Sequence, residues 1–398
     1  MRESAGNHAL PVMYYVRMNQ LPLDSTPTER LSRRGRRAVG VGALVLLVIG
    51  AASFAYLRSS NTLTTVGVPN TNPLAAGLNP VRYEFVTPSV GWAVMNPFTP
   101  PSSVGRFLVF RTLDGAKHWQ LQLAGQSSSP GFIPITVQFL DRKHGYMALD
   151  LAFTGEQVYT TNDGGEEWQA VVLPAPQSVV VVFDDAGYGW ALAQANAPGQ
   201  LFKLYASGDG GAAWQRLPDP PGDAYYLAFR GPTEAWMGSL GPGPPHVYVS
   251  ADAGHTWQRR DLPPPPGRTW DTGGGGTTVQ LLPQMGAVAA TKGDLFTSFD
   301  TGNTWRYVPA PPGEVGHQDA SHWWAIKGSV LSKSSDAGQT WSQVTKALPD
   351  WQFVPHVLDS RHAWAELTVV GGYGLALTSD GGLHWTRANV PQPAVTPS

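Results

Sequence analysis

An all-β protein built from repeated four-stranded antiparallel sheets, led by one membrane helix, is the fold this sequence predicts. Three observations carry the prediction: an eight-residue motif that recurs seven times, period-2 alternation around it, and a single uncharged apolar run near the N-terminus. The motif is Ser/Thr-x-Asp-x-Gly-x-x-Trp. It appears as TLDGAKHW from Thr112, TNDGGEEW from Thr161, SGDGGAAW from Ser207, SADAGHTW from Ser250, SFDTGNTW from Ser298, SSDAGQTW from Ser334 and TSDGGLHW from Thr378. Its aspartates, Asp114, Asp163, Asp209, Asp252, Asp300, Asp336 and Asp380, are 49, 46, 43, 48, 36 and 44 residues apart. A period of about 40 to 50 residues with four strands per repeat is the arithmetic of a β-propeller blade. Seven repeats predict a seven-bladed β-propeller with four-stranded antiparallel blades over residues 81–392, followed by a C-terminal tail, 393–398.

The four strands of a unit are read in order. An alternating segment such as ITVQFLD from Ile135 opens it. A short apolar strand follows, as VGWAV from Val90, HGYMAL from His144, YGWALA from Tyr188, EAWMGS from Glu234, MGAVAA from Met285, HWWAIK from His322 and HAWAEL from His362. An aromatic leads it in six copies, with Ala287 in that place in the fifth. The third strand, such as QVYTT from Gln157, runs into the motif, and the fourth leaves it, as EEWQAVVL does from Glu166. The 45 glycines and 35 prolines among 398 residues fit many turns between short packed segments and poorly serve long helices.

Residues 38–57, AVGVGALVLLVIGAASFAYL, carry no charge and as a helix just span a bilayer core. Arg30, Arg33, Arg34, Arg36 and Arg37 precede the run and only Arg58 follows it closely. This asymmetry predicts a basic cytoplasmic segment 1–37, a signal-anchor helix 38–57 and an extracytoplasmic body. The alternative is a cleaved signal peptide, with Ser53-Phe54-Ala55 as the small-x-small site; the body is then secreted. Residues 58–80 are polar and rich in Pro, Asn and Thr, a tether on which no fold is forced.

Within each motif the chain must reverse in a few residues. Glycine at the fifth position accepts a positive φ, and the Asp and Ser/Thr side chains bond the turn's own backbone. The first copy has Ala116 there, so a distorted turn is expected. The closing tryptophans, Trp119, Trp168, Trp214, Trp257, Trp305, Trp341 and Trp385, each bury a large ring. These repeats resemble the Asp-box, or bacterial neuraminidase repeat, of sialidases, sortilin-type receptors and photosystem II assembly and stability factors of the Ycf48-like group. The pairing of a GWA-type strand with every box most resembles the last group. The resemblance implies that the seven aspartates and seven tryptophans are structural, away from the working face.

Several functions are disfavoured by composition. Without cysteine there is no disulfide, thiolate nucleophile or zinc ribbon, and the ten histidines show no paired metal spacing, so no metal or cofactor is expected. Residues 61–398 carry 19 Lys+Arg against 26 Asp+Glu, which disfavours nucleic acid as a partner. The run Gly273 to Gly276 has no Lys-Ser/Thr after it, so no nucleotide is expected. No catalytic residue is assigned. Against the sialidase pattern, Phe132-Ile133-Pro134 lacks the arginine that the resemblance requires. Asp150, Glu156, Asp223, Arg268, Asp271 and Glu314 are available on the face opposite the boxes. Trp270, Trp323 and Trp351 fall outside the boxes, either as recognition platforms or as packing. The reading is a membrane-anchored scaffold for a protein partner, or an assembly factor, with a glycan-binding or glycoside-hydrolysing propeller as the alternative.

Overall fold

The computed structural model describes residues 64–65, 78–97, 105–127, 134–149, 157–173, 178–184, 186–197, 200–241, 243–270, 276–345, 354–369 and 372–391. The basic segment, the anchor and the C-terminal tail lie outside them. Among the described residues no helix is long and apolar enough to cross a membrane.

Every described element is a strand. Antiparallel four-strand meanders follow one another along 78–127, 134–172, 178–216, 224–261, 277–308, 314–345 and 356–388; we call them units 1 to 7. Units 4 and 5 share one bridge, Ser239 with Thr277. Unit 1 starts at Leu78, three residues before the expected boundary. Thr64–Thr65, in the expected tether, pair with Ala170 and Gln169 on the outer edge of unit 2.

The packing between units follows from two positions in each meander. The innermost strand ends on an aromatic in units 1 to 3, Phe85, Phe139 and Phe183, and in unit 4 Phe229 stands one residue before its end. Phe85, Phe139 and Phe183 pair with Gly91, Gly145 and Gly189, where a Cβ would stand 2.2 to 2.5 Å from the ring. That contact is the physical content of the glycine in the GWA strand. The aromatic after it reaches the next unit: Trp92 stacks on Phe139 at 3.8 Å, Tyr146 on Phe183 at 3.7 Å and Trp190 on Phe229 at 3.6 Å. Unit 7 meets unit 1 through the corresponding tryptophan but without the stack: Trp364 stands 5.9 Å from Phe85, its ring tilted by 46°. Tyr83, Phe85 and Met95 of unit 1 accordingly share one buried cluster with Trp364 and Leu375 of unit 7.

One sequence register is corrected. Ala287 pairs with Ser298, which makes it the counterpart of Gly91. The residue in the tryptophan place of unit 5 is therefore Val288, and it packs in a cluster with Val308, Trp323 and Ala337.

Candidate functional site

Each box occupies the turn between the third and fourth strands of its unit. In all seven the Ser/Thr hydroxyl donates to its aspartate at 2.7 to 3.0 Å and accepts the N–H of the fifth residue at 2.8 to 3.1 Å. The same carboxylate oxygen accepts the N–H of the seventh residue at 2.8 to 3.0 Å. Hydrogen bonds from the Thr256 hydroxyl, its N–H and the Ser250 hydroxyl hold the Asp252 carboxyl down to about 2.

The fourth residue as well as the fifth is left-handed, as with Gly164 and Gly165 at φ of 81° and 101°. The first copy is not distorted: Ala116 adopts φ 64° and still donates to Thr112 at 2.9 Å. Ala253, Thr301 and Ala337 take φ of 60°, 59° and 57° at the fourth position, so side chains are accommodated in this turn. Trp168, Trp214, Trp257 and Trp341 donate their indole N–H to the carbonyl of the box's fifth residue, at 2.9 to 3.1 Å. Trp119 instead donates to Asn389 of unit 7 at 2.9 Å, while Trp305 and Trp385 place their rings in the inter-unit packing.

The turn between strands one and two lies at the same end of each sheet. The fourth residue of the box donates its N–H to that turn, as Gly115 does to Ser89, Gly164 to Lys143, Ala337 to Ser321 and Gly381 to Arg361. We call this end the box face. The turns before His144, His322 and His362 are closed by Asp141, Asp319 and Asp359, each accepting the histidine's N–H at 2.8 Å.

The seven innermost strands line one cavity of about 580 Å³. Its wall is mostly apolar, with Asp184, Tyr226, Asp294, Glu314, His317 and His356 among the polar lining. Asp184 accepts the N–H groups of Ala186 and Tyr188, and Asp294 pairs with Arg268. His356 stacks on Trp364 at 3.8 Å. Burial pushes the His317 imidazole down to about 4, and burial with nearby Arg82 pushes His356 down to about 3. Tyr226 is the extra residue of a bulge between Tyr225 and Leu227, at φ 56°.

Of the groups expected opposite the boxes, the described Asp223 and Arg268 are each tied to other partners. Asp223 accepts the Tyr248 hydroxyl at 2.6 Å and lies 3.1 Å from Nε2 of fully buried His246. Glu314 is exposed at the cavity rim, and Asp150, Glu156 and Asp271 lie outside the described residues. Trp323 is fully buried and Trp270 donates to the Leu262 carbonyl at 2.9 Å, so both are packing rather than open platforms; Trp351 is outside the described residues. Arg230 is spent bracing Glu234 and the carbonyls of Leu282 and Gly286. Among the described residues no group of three or more His, Asp or Glu is placed to hold a metal ion. The inner-strand aromatics and Tyr226 escaped the sequence reading. Alternation marks which face a residue takes but not which neighbour it meets, and nothing local to Tyr226 signals a bulge.

No family model matches the chain. The Photosystem II assembly lipoprotein Ycf48 of Synechococcus sp. (strain CC9902) is 24% identical over 271 residues, covering 63% of this chain and 74% of that one. Among solved structures, Ycf48 bound to D1 peptide superimposes with a TM-score of 0.52 at 16% identity, over 82% of this chain and all of that one. Ycf48 from Cyanidioschyzon merolae gives a TM-score of 0.48 at 14% identity, over 82% of this chain and 98% of that one. By sequence and fold together the chain is Ycf48-like, and its sheets are those of a β-propeller.

Proposed function

We propose that this protein is a seven-bladed propeller, anchored outside the cytoplasm by a helix at 38–57, that binds another protein as a non-catalytic scaffold or assembly factor. The observation that carries the reading is its likeness to an assembly lipoprotein whose fold-mate holds a peptide. The site chemistry agrees. The box aspartates accept bonds from their own turns, and Arg230 and Arg268 are tied to Glu234 and Asp294, not gathered around an open pocket. The seven meanders, and the Phe85 to Trp364 contact between the last and the first, support the blade count. The uncharged run and the five arginines before it support the anchor and the orientation.

In-cell crosslinking of the tagged full-length protein, followed by mass spectrometry, tests the scaffold. A reproducible membrane or secreted protein partner is expected; recovery of glycan alone, with hydrolysis by residues 61–398, overturns it. Carbonate extraction tests the anchor. The protein should stay with the membrane, and a mature N-terminus near Tyr56 would refute the uncleaved form.

A further inference from the structure

Strand register orders the wall of the cavity between the innermost strands. Glu84, Gln138, Gln280 and His356 each pair with the residue in the tryptophan place of their unit, so they stand at one level and make a polar layer. One step nearer the boxes, His317 takes in unit 6 the place that Phe85, Phe139 and Phe183 hold in units 1 to 3. Its Nε2 is buried without a hydrogen-bond partner, and a buried polar group left unmet is costly. Three residues earlier on the same strand, about 10 Å away at about 3.4 Å per residue, Glu314 stands on the exposed rim at the end opposite the boxes. Asp294, at the start of the third strand of unit 5, shares that end.

Tyr226 lies toward the same end. Units 1 to 4 each break register near the start of the innermost strand. In unit 4 the extra residue is this aromatic, at φ 56°, a conformation costly for any residue but glycine. Bulges re-aim side chains, and this one brings Tyr226 into the lining. Burial keeps its hydroxyl protonated, both donor and acceptor. The charge of the wall has one sign. Glu84, Asp184, Asp294 and Glu314 are in the lining, and among the described residues no lysine or arginine is. Main-chain N–H groups satisfy Asp184 without cancelling its charge, while Arg268 offsets Asp294. Lys292 and Lys327 stand in turns at the end opposite the boxes, outside the lining. His317 and His356 are held neutral by burial, His356 also by Arg82, and add no positive charge. Between these groups the wall is apolar, as with Val137, Val182, Leu227, Val279 and Leu295.

We propose that this cavity is a binding site for a small organic cation, a primary ammonium on an apolar body. Its volume of about 580 Å³ is that of a small-molecule pocket. A cleft lined by carboxylates in low-dielectric walls concentrates positive charge and turns anions away. The apolar residues take the body, and the ammonium has three donors for carboxylate oxygens and for an imidazole lone pair. The site goes beyond the scaffold reading and stands or falls apart from it.

The test uses the full-length protein in a nonionic detergent and three fluorine-labelled probes of one body: trifluoromethyl-phenethylamine, the corresponding alcohol and the corresponding propanoate. Fluorine NMR reads saturable line broadening against empty micelles. The amine should bind at least about tenfold more tightly than the propanoate, with the alcohol between them. Glu314→Lys, on the exposed rim, should erase that preference without lowering the melting temperature. Tyr226→Gly removes the ring and relieves the positive φ, so it should keep the melting temperature while weakening the amine about fivefold or more. No saturable broadening beyond that of micelles, an amine that binds no tighter than the alcohol or the propanoate, or an amine affinity unmoved in both variants overturns the proposal. Should Tyr226→Gly melt early, Glu314→Lys alone decides. Crosslinking is scored separately: a captured partner without probe binding sinks the cavity and leaves the scaffold, and the reverse leaves the cavity standing.

Discussion

Gly338→Ala isolates what the fifth box position requires. Gly338 has φ 79°, and a Cβ there would stand 2.6 Å from the Trp323 ring and 2.8 Å from Val308 Cγ1. Both neighbours are fully buried, so neither moves freely. The left-handed conformation costs an alanine about 1 to 2 kcal/mol, and forcing a methyl into packed core about 1 to 3 kcal/mol. The sum, about 2 to 5 kcal/mol, lowers the melting temperature by roughly 4 to 10 °C at about 2 °C per kcal/mol. Ala116→Gly is the counterpart. Ala116 already holds φ 64° with a buried methyl, so relief of strain offsets the lost contact and the freer unfolded chain. That variant should stay within about 1 kcal/mol of the parent. Thermal melts by circular dichroism and urea midpoints measure both. If Gly338→Ala costs less than about 0.5 kcal/mol, or Ala116→Gly costs as much as Gly338→Ala, the packing argument is wrong.

Three further outcomes are expected. Asp252→Ala removes the acceptor for the buried Ser250 hydroxyl and for the exposed Thr256 N–H and hydroxyl, and should cost about 1 to 2 kcal/mol without reducing partner capture; loss of capture at unchanged melting temperature contradicts a structural box. Trp190→Ala empties the stack on Phe229 and should cost about 3 to 5 kcal/mol. Trp190→Phe should cost far less, because the indole N–H has no hydrogen-bond partner to lose. Finally, His317 and His356 are held neutral in the fold, at about 4 and about 3 against an ordinary 6.5. The unfolded chain binds their protons first, so the stability they contribute is complete above pH 6.5 and is lost as pH falls toward 4 and 3. Melting temperature against pH should show this slope, and His317→Leu/His356→Phe should flatten it.

The repeat, its four strands and the place of the box were legible because side chains that make a turn must recur at fixed spacing. The turn's other left-handed residue was not, since glycine holds it only as Gly115, Gly164, Gly210 and Gly381, and Ala253, Thr301 and Ala337 hold it in the other copies. The contacts between units were half legible. Trp92 and its counterparts stood out in sequence, but their partners Phe139, Phe183 and Phe229 are ordinary strand residues one unit further on. Least legible was the cavity wall: no local signal marks the bulge at Tyr226, and His317 and His356, far apart in sequence, come to line one cavity only when the units are assembled.

Phe85 and Trp364 meet across the whole length of the repeats, and the Glu366 carboxylate accepts the Tyr83 N–H at 3.0 Å across the same junction. Among the described residues no strand is exchanged there: units 1 and 7 each form a sheet from their own four strands. While the chain is being made, unit 1 exists long before its neighbour on that side does. Its Tyr83 and Phe85 surface must wait uncovered until the last residues arrive. Anything that holds the nascent chain has that open flank as its natural handhold, and truncation anywhere before unit 7 leaves it bare.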